Sequence, residues 1–481
     1  MKPNLGSVLL ACGLCALSPL ARTNDLRPDF QPLETDRGAW LDEAKFAMFI
    51  HWGISSQLER GEWVLFRDKM PVAEYKKLVD TFNPVGFNAD EWMGLAKAAG
   101  MKYVVFTGKH HDGFALFRTE ASDFNVVDST PFGRDVLAEL KAACNKHGLK
   151  LGIYYSHVQD WTHPGGAIHK GESWDAAQAG DFRTYLDTVA LPQIGKLLER
   201  YEPAILWFDT PWQMDAPLGH EIVRFVRVRK PETLINSRLM YHGMEIEGLS
   251  REQRDELREM GVDYLSYRDR TIPAASPWPY WETAMTLNQS WGYNSKDTAW
   301  KTPEKVVQQL VDIVGKGGTY LLNVGPRPDG TIPEETVDIL TRVGEWLGIN
   351  GEAIYGAEPS ALSGYGEVDP ASLARQRAQE EKARKTGARA RKVELEMDYH
   401  WLATQKAGTM YIHLFNWPEG DFKIDGFEGG IGKAYLLADR ETEISFDLKN
   451  GTLVVDLPPE PLDDLATVLC LEMKLDIDNK R

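Results

Sequence analysis

Two hydrophobic periodicities alternate between residues 40 and 350 of the chain. Short apolar runs, typical of buried strands, cover residues 45–51, 103–107, 149–156, 204–209, 233–236 and 319–323. Helical patterns lie between them. In residues 135–147 the side chains of Val136, Leu140 and Cys144 share one face, and Gly148 stands where a helix C-cap is expected. Residues 185–198 repeat the pattern, and this alternation predicts a parallel sheet with helices outside it.

Two weaker strand candidates decide the architecture of this region. Residues 262–264 and 284–288 bring the clear strands to the eight of a (β/α)8-like, TIM-type barrel. An open doubly wound sheet is the rival prediction, but the chain lacks the glycine-rich phosphate turn expected after its first strand. We therefore predict an α/β fold with a barrel domain over residues 30–356.

The pattern changes beyond residue 350. Residues 371–393 are rich in Arg, Lys, Glu and Gln, which is typical of a solvated helix or loop inserted into the second domain. Short alternating stretches then follow at 408–415, 432–437, 443–448, 451–457 and 468–474, separated by Gly, Pro and Asp turns. They predict an antiparallel β-sandwich over residues 357–481.

The first 21 residues have the pattern of a signal peptide. Lys2 supplies a positive end, residues 8–17 form an apolar core, and Ala21 is a candidate cleavage position. We expect export to the periplasm or medium; the sequence before Cys12 fits a lipoprotein site less well because of Leu10. The apolar core is too short for a stable membrane span. Cleavage would leave two cysteines, Cys144 and Cys470, and we expect a protein that does not depend on disulfides.

The amino-acid composition indicates which kinds of molecule the protein can bind. Acidic residues number 71 against 54 basic ones, a formal charge of −17, which disfavours nucleic acid and anionic membranes as partners. The chain also carries 15 Trp, 17 Tyr and 18 Phe, more aromatic surface than a dry core needs. Exposed aromatic faces are a usual platform for sugar rings.

Polar and aromatic residues gather where predicted strands end, the face at which a barrel builds its active site. The clusters are residues 51–53 (HWG), 109–114 (KHHDGF), 154–155 (YY), 207–209 (WFD) and 236–238 (NSR). Structural interpretations are a His110–His111 pair that bonds backbone and an Asp209 that caps a strand. A zinc site at His51, His110, His111 and Asp209 is disfavoured because the helical HExxH spacing is absent.

Longer motifs carry a resemblance to a known family. FAMFIHWGISS, KHHDGF, GIYYS, LWFD, INSR, WETAMTLNQSWGYN, GTYLLNVGPRPDG and WLGINGEAIYG, spread in order over residues 40–360, resemble the α-L-fucosidases of glycoside hydrolase family 29. The resemblance implies a barrel followed by a β-sandwich, and an exo-acting enzyme that removes terminal α-L-fucose from a fucosylated glycan with retention of configuration. It implies no metal or other cofactor.

The resemblance also implies roles for individual residues. Asp209 matches the nucleophile, and the sugar-binding positions match His51, Glu62, Trp63, His110, His111, Tyr154, Trp207, Arg238 and Trp291. A retaining glycosidase needs a second carboxyl as acid and base. Aligned on Ile272-Pro273 the family's Glu falls on Asp269, which we prefer; aligned on Asp263-Tyr264 it falls on Arg268, which cannot serve. Glu282 is the alternative acid/base.

Two rival functions remain open from the sequence. An α-L-galactosidase-like retaining enzyme would differ only in tolerating a hydroxyl at C6 of the sugar. A non-catalytic fucose-binding protein is kept open by Arg268, because that alignment leaves no acid/base. The sequence does not indicate an oligomeric state.

Overall fold

The structure, a computed structural model, describes residues 36–360, 362, 366–368 and 399–474. Its first domain is built on a parallel sheet, as the alternating pattern predicts. Among the described residues this sheet has eight strands: β1 Phe46–Ile50, β2 Tyr103–Lys109, β3 Lys150–Tyr155, β4 Ile205–Phe208, β5 Leu234–Ile235, β6 Leu265–Ser266, β7 Trp281–Thr286 and β8 Thr319–Val324. Their order is β5-β4-β3-β2-β1-β8-β7-β6.

The two outer strands meet, so the sheet curls into a barrel. Asn236, directly after β5, forms a parallel bridge with Tyr264, directly before β6. The amide of Ser237 donates to the carbonyl of Tyr264 at 3.0 Å, and the amide of Asp263 donates to the carbonyl of Ile235 at 2.9 Å. The barrel prediction is therefore confirmed. The weak candidate at 284–288 overlaps β7, whereas β6 begins at Leu265, directly after the candidate at 262–264 ends.

Helices surround the barrel, and local sequence signals set their ends. The α-helices among the described residues are α1 Ala39–Ala44, α2 Val64–Arg67, α3 Val72–Lys76, α4 Ala89–Ala98, α5 Val126–Ser129, α6 Val136–His147, α7 Phe182–Tyr185, α8 Leu191–Lys196, α9 Ala216–Arg229, α10 Arg251–Met260, α11 Pro303–Gly315 and α12 Glu334–Asn350. In α6 the Asp135 side chain accepts from the amide of Ala138, and Gly148 ends the helix in the left-handed conformation, as its sequence predicts.

The helix predicted at 185–198 is longer and less regular than expected. It runs through α7 and α8 with two π-helical segments, Leu186–Ala190 and Leu197–Tyr201. Pro192 lies near the start of α8 and has no amide hydrogen to donate to the preceding turn. A locally widened helix is one way to accommodate such a break.

The second domain consists of two packed antiparallel sheets, as predicted. Its strands are β9 Glu358–Pro359, β10 Gly366–Val368, β11 Tyr399–Lys406, β12 Thr409–Leu414, β13 Phe422–Asp425, β14 Ile431–Leu436, β15 Asp439–Glu443, β16 Phe446–Lys449, β17 Thr452–Val455 and β18 Thr467–Met473. One sheet has the order β10-β11-β12-β18-β14-β15 with β9 against β11, and the other β13-β17-β16. Ile424 and Leu453 of the small sheet share a core with Ile412 and Leu469 of the large one.

The outer face of the large sheet packs on the barrel domain. The indole of Trp346 in α12 donates to the carbonyl of Ala466 at 2.8 Å, and the Thr404 hydroxyl of β11 donates to the carbonyl of Ala353 at 2.8 Å. Tyr411 and Cys470 of this sheet belong to the same buried cluster as the barrel.

The remaining sequence predictions concern the signal peptide, the charged insertion, membrane spans and the cysteines. The signal peptide at 1–21 and the charged insertion at 371–393 lie outside the described residues. Within the described part of the chain, no helix combines the length and hydropathy needed to cross a bilayer. Cys144 and Cys470 are both buried free thiols.

Candidate active site

An open pocket of about 420 Å³ lies at the carboxyl ends of the barrel strands. It is lined by Phe49, His51, Glu62, Trp63, His110, Tyr154, Trp207, Asp209, Thr210, Arg238, His242, Asp269 and Trp291. Ten of the twelve site residues named from the sequence are in this lining. His111 contacts the lining from behind, and Glu282 lies beneath it.

Asp209 directly follows β4 and points its carboxylate into the pocket. Its Oδ1 accepts from Nη1 of Arg238 at 3.2 Å, and its Oδ2 accepts from the Tyr154 hydroxyl at 3.0 Å. Burial alone would raise the pKa of Asp209, but the charge of Arg238 outweighs it and lowers the pKa to about 2. Asp209 is therefore an anion over the whole physiological pH range.

Arg238 joins the two candidate carboxyls of the pocket. Nη1 binds Asp209, while Nη2 binds Asp269 and also donates to the carbonyl of Tyr267 at 2.6 Å. The guanidinium is buried, and Gly243 packs so closely that a Cβ there would lie 2.8 Å from Nη2. Two acids held on one planar cation are near neighbours. Asp269 differs from Asp209 in exposure, with 42% of its side chain accessible against 15%.

His111 lies behind Asp209, at the back of the pocket. Its Nδ1 lies 2.6 Å from the Ser156 hydroxyl, and that hydroxyl donates its own proton to the carbonyl of Gln159. The imidazole must then be the donor in the first contact, so the proton of the neutral ring is on Nδ1. Nε2 faces the Thr210 hydroxyl at 3.3 Å and lies 3.6 Å from Asp209 Oδ2. Burial lowers the pKa of His111 to about 3, and the ring is neutral.

Two further imidazoles face the pocket. Nδ1 of His51 lies 2.6 Å from the side-chain oxygen of Asn323, whose amide donates to the carbonyl of Trp291 at 2.7 Å. His110 stacks on Tyr154 with ring centroids 5.4 Å apart, and its Nδ1 has no hydrogen-bond partner among the described residues. Burial lowers the pKa of both rings, so both are neutral. The Asn323 contact uses the donor of His51 and leaves Nε2 as an acceptor, and in His110 the enclosed Nδ1 leaves Nε2 as the nitrogen that can meet a ligand.

Lys109, which the sequence left without a role, anchors the His110–His111 segment. Its ammonium donates to Asp160 at 2.9 Å and to the Tyr185 hydroxyl at 2.6 Å. Lys109 and Asp160 are both fully buried, away from the pocket. A buried ion pair with further hydrogen bonds ties the end of β2 to the loop after β3 and to α7.

Glu62 and Trp63 enter the pocket from the loop before α2. Oε2 of Glu62 accepts from the amide of Gly292 at 2.7 Å, and a Cβ at residue 292 would lie 3.1 Å from that oxygen. This close approach explains the glycine of the SWGYN motif. The Trp63 ring packs edge-on against His111 and Trp161, with centroids 5.3 and 5.0 Å away.

Glu282, the alternative acid/base, lies in the barrel interior and not in the pocket lining. It is fully buried on β7, accepts from the indole N–H of Trp207, and accepts from the Tyr103 hydroxyl at 3.0 Å. Burial raises its pKa to about 7. Trp207 covers it and in turn stacks on Tyr154, with centroids 5.4 Å apart. The position of Glu282 suits support of Trp207 better than contact with a substrate.

Sequence reasoning missed three lining residues. Phe49 is the penultimate residue of β1 and was taken as core, although its ring faces Trp291 at 6.1 Å. Thr210 adopts a φ of 52°, which turns the chain directly after Asp209. His242 lies in a loop outside every recognised motif. The one feature of the sequence that could have indicated it is its position shortly after the INSR motif.

Comparisons with known proteins show to which family the chain belongs. A family model described as "Alpha-L-fucosidase" matches residues 15–352. The chain belongs to the α-L-fucosidase family. This confirms the resemblance drawn from the motifs, and α-L-fucosidases are glycoside hydrolases, so the protein is classed as an enzyme.

Individual relatives extend over both domains. The tissue α-L-fucosidase of Bos taurus is 32% identical over 484 residues, covering 93% of this chain and 90% of the relative. That of Mus musculus is 31% identical over 364 residues, covering 69% of this chain and 74% of the relative. The solved structure of α-L-fucosidase isoenzyme 1 from Paenibacillus thiaminolyticus has a TM-score of 0.76 at 33% identity, covering 91% of this chain and 99% of that one.

Proposed function

We propose that the chain is an exo-acting, retaining α-L-fucosidase that hydrolyses terminal α-L-fucose from oligo- or polysaccharides. The observation that carries the mechanism is the pair of acids on Arg238: an ionised, partly buried Asp209 and a more exposed Asp269. Retaining glycosidases use two carboxyls about 5–5.5 Å apart, one as nucleophile and one as acid and then base.

Asp209 is suited to the nucleophilic role. Its low pKa keeps it charged, and its contacts with Arg238 and Tyr154 orient the carboxylate. In the first step a carboxylate oxygen forms a bond to C1 of fucose, the bond from C1 to the glycosidic oxygen breaks, and that oxygen takes a proton from Asp269. In the second step Asp269 removes a proton from water, which attacks C1 and releases fucose from the ester.

Asp269 is better placed than Glu282 to serve as the acid and base. It lines the pocket and is exposed enough to turn from Arg238 toward a glycosidic oxygen, whereas Glu282 is enclosed beneath Trp207. A general acid must reach the leaving oxygen within hydrogen-bond distance.

The lining supports a 6-deoxy sugar as the ligand. Neutral His51 offers an acceptor and neutral His110 a ring nitrogen to the sugar hydroxyls, and Glu62 adds a carboxylate acceptor. Phe49 and Trp291 form an apolar corner that suits the C5 methyl of fucose. A hydroxymethyl group there would leave a hydroxyl without a partner, which favours fucosides over α-L-galactosides.

Covalent trapping tests the proposal. With a 2-fluoro fucosyl reagent we expect one label, on the tryptic peptide that carries Asp209, and with nitrophenyl α-L-fucoside we expect α-fucose as the first product by NMR. A label on another residue or a β product would overturn the retaining mechanism. Faster release from nitrophenyl α-L-galactoside would instead favour the rival substrate. No release from either glycoside, with fucose still raising the Tm, would favour a binding protein.

We also propose export, on the N-terminal sequence pattern alone. N-terminal sequencing of the protein recovered from its own cells should find a mature chain that begins near residue 22; a chain that begins at Met1 would contradict this.

A further inference from the structure

An aromatic wall leads from the sugar pocket toward its outer rim. Trp63 lines the pocket, and its ring meets His169 edge-on with centroids 5.2 Å apart. His169 meets Trp212 in the same manner at 5.4 Å. His169 and Trp212 are both half-buried, and neither belongs to the pocket lining. The wall therefore continues past the space that a single sugar ring would fill.

Trp212 is held next to the candidate nucleophile by the chain itself. It lies three residues after Asp209, and its amide donates to the carbonyl of Thr210 at 2.9 Å. Thr210 and Gln213 have φ values of 52° and 66°, so the segment turns sharply on both sides of Trp212. Thr210 and His242 line the pocket on this side. In a bound fucoside the group attached to C1 leaves on the face of the sugar away from Asp209, and it must pass out of the pocket along its rim.

The other tryptophans of the surrounding loops differ from Trp212 in burial or in their hydrogen bonds. Trp161, Trp278 and Trp281 are almost completely buried. Trp174 is half-buried like Trp212, but its indole N–H donates to the carbonyl of Met70 at 2.7 Å. Trp212 lacks such an anchor.

The ring nitrogens of the wall differ from the indole nitrogen of Trp174 in lacking a partner, and Nε1 of the fully buried Trp161 also lacks one. Nε1 of Trp212 and Nδ1 of His169 are enclosed by neighbouring atoms and make no hydrogen bond within the described residues. His169 and Trp212 are, unlike Trp161, half-buried residues beside the pocket. Enclosed polar atoms without a partner call for an explanation. A hydroxyl-bearing ligand on the wall would supply one after a small rotation of either ring.

We propose that Trp212 and His169 form the subsite for the pyranose that carries the fucose. This inference rests on the proposed function and adds the binding of the leaving group to it. The apolar C–H face of the pyranose would lie on Trp212, with its hydroxyls near the neutral His169 ring, whose pKa burial lowers. The wall would then favour glycosides of a second sugar over simple fucosides.

Two substrates separate this role from catalysis. Fucosyl fluoride has no leaving-group sugar, whereas the fucosyl disaccharide that the unmodified enzyme cleaves fastest, chosen from a panel of α-linked disaccharides, has one. For Trp212→Ala we expect kcat/KM on the disaccharide to fall by about tenfold or more, with kcat/KM on fucosyl fluoride within about twofold of the unmodified enzyme. Trp212→Phe, which keeps an aromatic face, should retain most disaccharide activity.

Trp174→Ala is the matched control, because it removes a half-buried loop tryptophan of the packing type. This variant should change kcat/KM on the disaccharide and on fucosyl fluoride by the same factor. If Trp212→Ala lowers activity on both substrates equally, or on neither, the subsite is wrong. Should Trp212→Ala fail to fold, the same comparison is made with His169→Ala, for which equal effects on both substrates overturn the subsite. Failure of the unmodified enzyme to turn over fucosyl fluoride would overturn the proposed function itself and this subsite with it.

Discussion

Arg238 decides the charge of Asp209 at the scale of single residues. Without a cation, a carboxyl this buried would have a raised pKa. With Arg238 bound, its pKa falls to about 2. A carboxyl with a lowered pKa stabilises the fold above its ordinary value near 3.8, and that stabilisation is lost as the pH falls toward 2.

Replacing Arg238 should therefore shift the pH dependence of activity. In Arg238→Gln we expect the pKa of Asp209 to rise, because burial then acts without opposition. The acidic limb of kcat/KM on fucosyl fluoride should move to higher pH. Arg238→Lys keeps a positive charge and should move the limb less. A limb that stays in place in Arg238→Gln would show that another group controls the ionisation of Asp209.

Replacing Asp269 should lower activity in a way that depends on the leaving group of the substrate. If Asp269 protonates the leaving oxygen, Asp269→Asn should lower kcat/KM by about 10²-fold or more on substrates with poor leaving groups and much less on fucosyl fluoride. Azide should partly restore turnover as fucosyl azide. The measurement is a plot of log kcat/KM against leaving-group pKa for both enzymes. Equal losses across the series, with the leaving-group dependence appearing in Glu282→Gln instead, would reverse the assignment.

At the scale of elements, the site is assembled from the ends of several strands. Asp209 follows β4, Arg238 follows β5 and His51 follows β1, so residues far apart in sequence meet at one mouth. Glu282 belongs to this scale, because it acts from β7 on Trp207 of β4, a strand on another side of the barrel. It holds the indole of Trp207, which stacks on Tyr154 and lies under the Arg238 guanidinium at 4.8 Å.

Glu282 should behave as a positioning residue. In Glu282→Gln we expect a loss of kcat/KM of about tenfold that is the same for fucosyl fluoride and for poor leaving groups, because Trp207 shifts and with it both contacts of Asp209. The variant should also change the dependence of stability on pH. A carboxyl whose pKa is raised from 4.5 to about 7 makes the folded protein less stable as the pH rises through that window.

The check is the Tm of both proteins between pH 4.5 and 7.5. The decline with pH should be smaller in Glu282→Gln, which cannot ionise. Tyr103→Phe is a useful comparison, because it removes one donor to Glu282 and leaves the Trp207 contact in place. A stronger effect on poor leaving groups than on fucosyl fluoride would contradict the positioning role.

At the scale of the whole molecule, the sandwich completes the barrel domain. Its large sheet buries Tyr411 and Cys470 in the barrel's apolar cluster, and its small sheet closes the other face. The alternating pattern predicted this architecture well, because helix and strand periodicities differ and each records which side of an element is buried. The predicted bounds of β6 were less accurate than those of the other barrel strands. This strand is only two residues long, Leu265–Ser266, and so short a strand gives a weak hydrophobic pattern.

What the sequence by itself determined is the order of elements, the family, and the clusters at the strand ends, since these depend on local periodicity and on residues that are neighbours in the chain. Only the tertiary structure decided which carboxyl enters the pocket. Asp269 and Glu282 lie only 13 positions apart. Curling of the sheet turns β7 so that Glu282 faces inward beneath Trp207, while the loop after β6 carries Asp269 to Arg238. Burial and distance between residues remote in sequence arise only when the barrel closes, and these two quantities set the pKa and the reach of each acid.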